Sequence, residues 1–144
     1  MAIRRALKTD ISSIRRVAMA AYDKYIYNLY VKDEIDLAFD KFSPYDLKMF
    51  VATNENLKIV AFGAVGRSMF MNNVFELRLA ATHPKHINNG YYRQITETRL
   101  EYIKNASKGL GALVQVSTKI PQVYEGFIDV FTNNLGYHCL QKII

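Results

Sequence analysis

A single cysteine, Cys139, denies this chain of 144 residues any internal disulfide framework and suits a reducing, cytoplasmic compartment. Tryptophan is absent, and the three prolines, Pro44, Pro84 and Pro121, are too scattered to build a linker. No apolar run approaches the ~20 residues of a membrane span. The longest, Ile59 to Val65, is strand-sized and holds Gly63. The opening Met1-Ala2-Ile3-Arg4-Arg5 lacks the apolar core of a secretory signal. No repeat or low-complexity tract interrupts the sequence. These absences lead us to expect one domain over 1–144, cytoplasmic and away from membranes.

Half of the residues are hydrophobic and 22% are charged, a balance too rich in core formers for a disordered chain. Lys and Arg number 19 against 13 Asp and Glu, a formal charge of +6. A basic surface favours anions, phosphorylated cofactors and nucleic acid alike. The cationic residues are dispersed, however, and the aromatics do not interleave with a basic strip. No recognition helix or RNA-binding pattern is readable, so nucleic acid is the weakest of the partner classes.

Ala2 to Ala6 reads as a short edge strand. Thr9-Asp10 offers N-caps for a helix whose stripe is Ile11, Ile14, Val17, Ala18, Ala21 and Tyr25. A tyrosine-rich stretch, Tyr22 to Tyr30, leads into an acidic amphipathic segment, Asp33 to Phe42, which Ser43-Pro44 breaks. From Met49 the period changes to that of strands. Met49–Thr53, Lys58–Ser68 and Val74–Thr82 are predicted strands, joined by turns at Asn54-Glu55-Asn56 and Asn72-Asn73. His83–Gly90 is a loop, and Tyr91–Asn105 is a helix stopped by Lys108-Gly109-Leu110-Gly111. Ala112–Ser117 is a strand, Pro121 opens a helix to about Asn133, and His138–Ile144 is a last strand. The order β-α-α-β-β-β-α-β-α-β predicts an α/β (α+β) fold, with a mixed, mostly antiparallel central sheet flanked by helices.

The junction of strand Val74–Thr82, loop His83–Gly90 and the helix from Tyr91 is the place for chemistry. A helix N-terminus leaves N–H groups unpaired at the positive end of its dipole, and together they attract a phosphate. Gly90 lets the backbone come close to one. His83 and His86 make no metal pair, since Pro84 stands between them and no third ligand is near.

The order of elements, the opening Ile3-Arg4-Arg5-Ala6 with Asp10-Ile11, the segment Leu79 to Arg93 and the ending Asn134-Leu135-Gly136-Tyr137 resemble the GNAT superfamily of acetyl-CoA-dependent N-acetyltransferases. Thr82-His83-Pro84 matches that family's V-x-P turn, and Gly90 the middle glycine of its Q/R-x-x-G-x-G/A pyrophosphate loop. Ile87 stands where the family has Gln or Arg. Tyr92 stands where it has the last small residue, so its ring would crowd a pyrophosphate unless it turned away.

The resemblance implies acetyl-CoA as co-substrate and a primary amine, of a small molecule or a protein, as acceptor. It implies that Ala80, Ala81 and Thr82 lie at the thioester, and that Ile87, Asn88, Asn89, Gly90, Tyr91 and Tyr92 bind the phosphates. The family's general-acid tyrosine lies five residues before the Gly-Phe ending, a register that gives Thr132 here. Tyr124 is eight residues earlier, about 12 Å along a helix, too far to be a simple substitute. Glu76 is the candidate base, since alternation along the strand puts it on the face of Ala80 and Thr82. The competing reading pairs Glu76 with Arg78 or a cross-strand partner. Tyr25, Tyr27 and Tyr30, with Tyr22, are candidates for the acceptor pocket, although helical packing explains their spacing equally well. Two other readings stay open: a GNAT-fold protein that binds CoA or a partner without turnover, and a basic nucleic-acid-binding module. A last strand ending at Ile144 leaves no room for the family's closing hairpin, and its unpaired edge would recruit a second chain into a homodimer.

Overall fold

The protein is described by a computed structural model over residues 2–41, 46–68 and 71–144. Phe42 and the predicted Ser43-Pro44 break lie outside the described residues. Seven strands form one sheet. β1 (Ala2–Arg5), β2 (Lys48–Thr53), β3 (Ile59–Arg67) and β4 (Val74–Thr82) make an antiparallel run. β5 (Leu113–Thr118) joins β4 in parallel, and β7 (His138–Ile143) lies antiparallel between β5 and β6 (Ile128–Thr132). The predicted fold class is the observed one.

Helices cover both faces, and this is why β3 reads as an unbroken apolar run rather than an alternating one. On one face lie α1 (Ile11–Ala21), the single turn α2 (Lys24–Ile26), a π-helical turn at Tyr27–Val31 and α3 (Lys32–Leu37). Ile14, Val17, Val31 and Ile35 pack there on Val51, Phe62 and Leu79. Asp23 starts this helical stretch, its carboxylate accepting the N–H groups of Tyr25 and Ile26 at 2.9 and 3.3 Å. On the other face α4 (Tyr91–Ala106) buries Ile95 and Ile103 against Val65, Phe75, Leu77 and Val114.

The predicted helix from Pro121 to Asn133 does not form. Pro121–Val123 makes one 3-10 turn, Gly126 takes a positive φ of 80°, and Ile128–Thr132 becomes β6. Ile128, Val130 and Thr132 are β-branched at every second position, which favours a strand. Asn134-Leu135-Gly136-Tyr137, expected to end that helix, forms the β6–β7 turn instead. The Asn133 side-chain oxygen accepts the N–H groups of Leu135 and Tyr137 at 2.9 and 3.0 Å, and Gly136 takes φ 83°. The closing hairpin is therefore present, and β6 rather than the last strand is the edge on that side.

Between Gly63 and Val65 the β3–β4 register slips, so Ala64 spans Arg78 and Leu79 without a regular partner. This bulge reverses the alternation of β4. Phe75 and Leu77 face α4, whereas Leu79 and Ala81 face α1. β4 pairs with β5 only from Val74 to Leu77, and beyond that point the two strands part.

Candidate active site

The parting of β4 and β5 opens a cavity of about 860 Å³. Tyr22, Tyr30 and Glu34 line it from the first helical layer, and Glu76, Arg78 and Ala80 from β4. Tyr92 enters from the first turn of α4, Tyr124 from the segment after β5, and Phe131, Tyr137 and Cys139 from the hairpin.

The direction of the β4 backbone follows from its hydrogen bonds. The N–H of His83 donates to the Val60 carbonyl at 2.8 Å. Alternation along an antiparallel ladder then turns the backbone groups of Ala81 toward β3 and those of Ala80 and Thr82 toward the opening. The Ala80 carbonyl accordingly accepts the Tyr22 hydroxyl at 3.0 Å, and the Ala80 N–H points the same way. Of the three predicted strand residues, Ala81 belongs to the buried core on the α1 side and only Ala80 lines the cavity.

Glu76 does line the cavity, but the bulge overturns the expectation that it shares a face with Ala80 and Thr82. Gly63, the cross-strand partner of Ala80, turns toward Ile95 and Arg99 of α4. Glu76 lies on the opposite, α3 side, where its carboxylate accepts from the Arg78 guanidinium at 2.7 Å. The same guanidinium pairs through Nε with Glu34. Two carboxylates share one cation at this end of the cavity.

Thr132 is not in the cavity. It lies exposed on β6, its hydroxyl 3.1 Å from His138 Nδ1, which is 2.6 Å from an Asp129 carboxylate oxygen. The residue that the sequence reading set aside, Tyr124, is buried in the wall and its hydroxyl is 2.7 Å from that of Tyr92. The helical rise that excluded Tyr124 does not apply, because the segment is no helix. The visible signal was Gly126, six residues before Thr132 in the supposed helix. The Tyr92 ring turns inward onto Tyr124, edge to face, rather than out over the loop. Burial, and then the neighbouring Tyr124, push the Tyr92 phenol above the usual tyrosine range. Burial raises the Tyr22 phenol as well. Of the expected acceptor tyrosines Tyr22 and Tyr30 line the cavity. Tyr25 is 70% exposed and Tyr27 is buried in the core.

The loop before α4 presents the helix end to solvent. Pro84–His86 makes one 3-10 turn, with His83 Nδ1 accepting the Lys85 N–H at 3.2 Å. Asn88 takes φ 66°, the Asn89 amide donates to the His86 carbonyl at 3.2 Å, and Ile87 is exposed. Gly90 caps α4 at φ 81°, with open space where a Cβ would be. Positive φ, not crowding, is what selects glycine there. The bond from the Gln94 N–H to the Gly90 carbonyl at 3.1 Å is the first turn of the helix, so the N–H groups of Tyr91, Tyr92 and Arg93 have no intrahelical acceptor. Slight burial, then Arg16, His86, Lys85 and Lys58, hold the His83 imidazole below its usual pKa. That cationic surround and the free N–H groups suit a phosphate.

No protein-family profile and no curated protein sequence matches the chain. Solved structures do. The PaiA N-acetyltransferase of Thermoplasma acidophilum, in complex with coenzyme A, is similar over 100% of both chains at TM-score 0.76 and 14% identity. A GNAT family acetyltransferase of Brucella melitensis, in complex with acetyl-CoA, is similar over 96% of this chain and 86% of its own, at TM-score 0.67 and 18% identity. The aminoglycoside 6'-N-acetyltransferase of Enterococcus faecium is similar over 99% of this chain and 97% of its own, at TM-score 0.70 and 10% identity. At such identities the likeness lies in the course of the backbone: this chain has the fold of the GNAT acetyltransferases.

Proposed function

We propose that the chain is an N-acetyltransferase that moves an acetyl group from acetyl-CoA to a primary amine. The observation that carries this reading is the parting of β4 from β5 at Leu77, with the Ala80 backbone turned into the cavity so formed. The solved relatives support it, since two hold CoA or acetyl-CoA and one acts on an aminoglycoside. The residues present fit the co-substrate. The N–H groups at the start of α4, with Lys85 and the backbone of Ile87 to Gly90, would receive the phosphates. When bound, acetyl-CoA supplies an acetyl group already activated as a thioester.

The chain's own groups do the rest. The Ala80 N–H donates to the carbonyl oxygen as negative charge builds there. Glu76 takes, directly or through a water, the proton that the acceptor's ammonium loses. Glu34 and Glu76 flank Arg78 at one end of the cavity, away from Lys119 on the other wall, and this end would draw a cationic amine, with Tyr30 beside it. The new N–C bond forms as the C–S bond breaks, and the Tyr124 hydroxyl gives the sulfur its proton. The second proton that the nitrogen sheds on becoming an amide returns to Tyr124 through water, while Glu76 releases its proton to solvent. The non-catalytic reading rested on Thr132 and Tyr92 in place of family residues. Tyr124 in the wall and Tyr92 turned inward favour turnover over that reading.

The cysteine content favours a cytoplasmic setting, and no helix among the described residues is long and apolar enough to cross a membrane. A second copy pairing along β6 is our reading of the assembly. Ile128, Val130 and Phe131 are 71, 54 and 57% exposed on that edge. Light scattering should give twice the chain mass, falling to the chain mass for Ile128→Lys; a wild-type monomer would contradict it. The functional experiment is a thiol-release assay over polyamines, aminoglycosides, amino acids and peptide N-termini between pH 6 and 9. Release with one amine class, rising with pH, is expected. If CoA binds and every amine fails at every pH, the non-catalytic reading takes over.

A further inference from the structure

Arg99 of α4 is completely buried, and no carboxylate pairs with it among the described residues. A fold holds a charge in that state only at considerable cost, so its partners are informative. One terminal nitrogen donates both to the Ala64 carbonyl at 3.1 Å and to the Arg78 carbonyl at 3.2 Å, and the other donates to the Thr96 hydroxyl at 3.2 Å. Ala64 and Arg78 are residues that the β3–β4 register skips at the bulge. The guanidinium thus ties together one backbone carbonyl from each strand at the place where the ladder is broken. Gly63 makes the approach possible. A Cβ there would stand 2.4 Å from the Ile95 side chain and 3.2 Å from Arg99 Nε. The Nε itself has no acceptor, which leaves the two terminal nitrogens to do the holding.

We propose that Arg99 is a positioning residue for acetyl transfer: it holds the β4 bulge and, through it, the direction of the Ala80 N–H. Without the bulge, β4 would keep its alternation past Leu77, and the backbone of Ala80 would turn toward β3 instead of the cavity. This inference rests on the acetyltransferase reading above. It adds a requirement that lies in the core, away from substrate.

The test uses acetyl-CoA labelled with ¹³C at the thioester carbonyl. Its infrared stretch on the protein reports polarisation of that bond without turnover, and a residue important only for stability would not move it. In the wild type the stretch should fall to lower frequency than in free acetyl-CoA. Arg99→Met, which keeps an unbranched apolar stem but loses every donor, should abolish most of that shift. Its kcat should fall about a hundredfold, as when one oxyanion donor is lost, with CoA affinity held within about threefold. Arg99→Lys keeps a charged donor nitrogen on a shorter stem without the planar fork, and should recover about tenfold of the rate. Thr96→Val should shift the stretch in the same direction by less. Should Arg99→Met not fold, the lysine and Thr96→Val variants decide the question by the same two readouts. Acetyl-CoA bound by all variants with one unchanged carbonyl frequency would overturn the role of Arg99 and leave the acetyltransferase reading standing. A folded wild type that binds no acetyl-CoA would overturn that reading, and this inference with it.

Discussion

The Tyr22 phenol donates to the Ala80 carbonyl and the Tyr92 phenol meets Tyr124, and burial holds both above the usual tyrosine pKa. Below pH ~10, the ordinary tyrosine value, folded and unfolded chains carry the same phenolic protons. Above it the unfolded phenols ionise first, the unfolded state binds fewer protons, and stability falls as pH rises. Each phenol then removes at most about 1.4 kcal/mol per pH unit. Melts from pH 8 to 11 should decline more steeply for the wild type than for a Tyr22→Phe, Tyr92→Phe double variant. Equal slopes would contradict the burial. For catalysis, Tyr124→Phe should lower kcat about a hundredfold, the usual order for a general acid, while Thr132→Ala leaves it unchanged. A rate that responds to Thr132 and ignores Tyr124 would reverse that assignment. Glu76→Gln should slow the chemical step at neutral pH more than it weakens CoA binding.

At the scale of elements, the sequence pattern carried the strands of the meander, because β2, β3 and β4 are bounded by Asn-rich turns and hold dense apolar runs. It also located α4, through Gly90 before it and Lys108-Gly109 after it. Two things were hidden. The run Phe75, Leu77, Leu79, Ala81 reads as unbroken alternation, and a bulge that swaps faces between two apolar cores leaves apolar residues apolar. Nothing local in β4 betrays it; Arg99 and Gly63, distant in sequence, meet it in space. The segment after Pro121 misled for a different reason: a proline that can open a helix opened a single turn, and Gly126 ended it. Hence the strand and loop beside the cavity were legible, while the place of Tyr124 in its wall and the face of Glu76 were not. The loop itself gives a sharp prediction. Gly90→Val forces a branched residue into φ 81°, where L-residues are strained, and puts bulk where a phosphate would approach. CoA affinity should fall at least about tenfold, the worth of one charge-assisted hydrogen bond. Unchanged affinity by calorimetry would move the anion site elsewhere.

For the whole molecule, the +6 charge and the cations around His83 would favour encounter with the proposed co-substrate, a polyanion. CoA binding should therefore weaken as salt rises, since added ions screen the phosphates. The sheet divides the molecule into two cores that meet at β4, and the cavity sits where that strand leaves β5. The claim that this cleft receives acetyl-CoA is tested most directly by amide hydrogen exchange with and without saturating acetyl-CoA. Exchange should slow at residues 79–82 of β4, at 116–118 of β5 and at 90–93 at the start of α4. No protection in these three segments at millimolar acetyl-CoA, or protection confined to another face of the sheet, would contradict it.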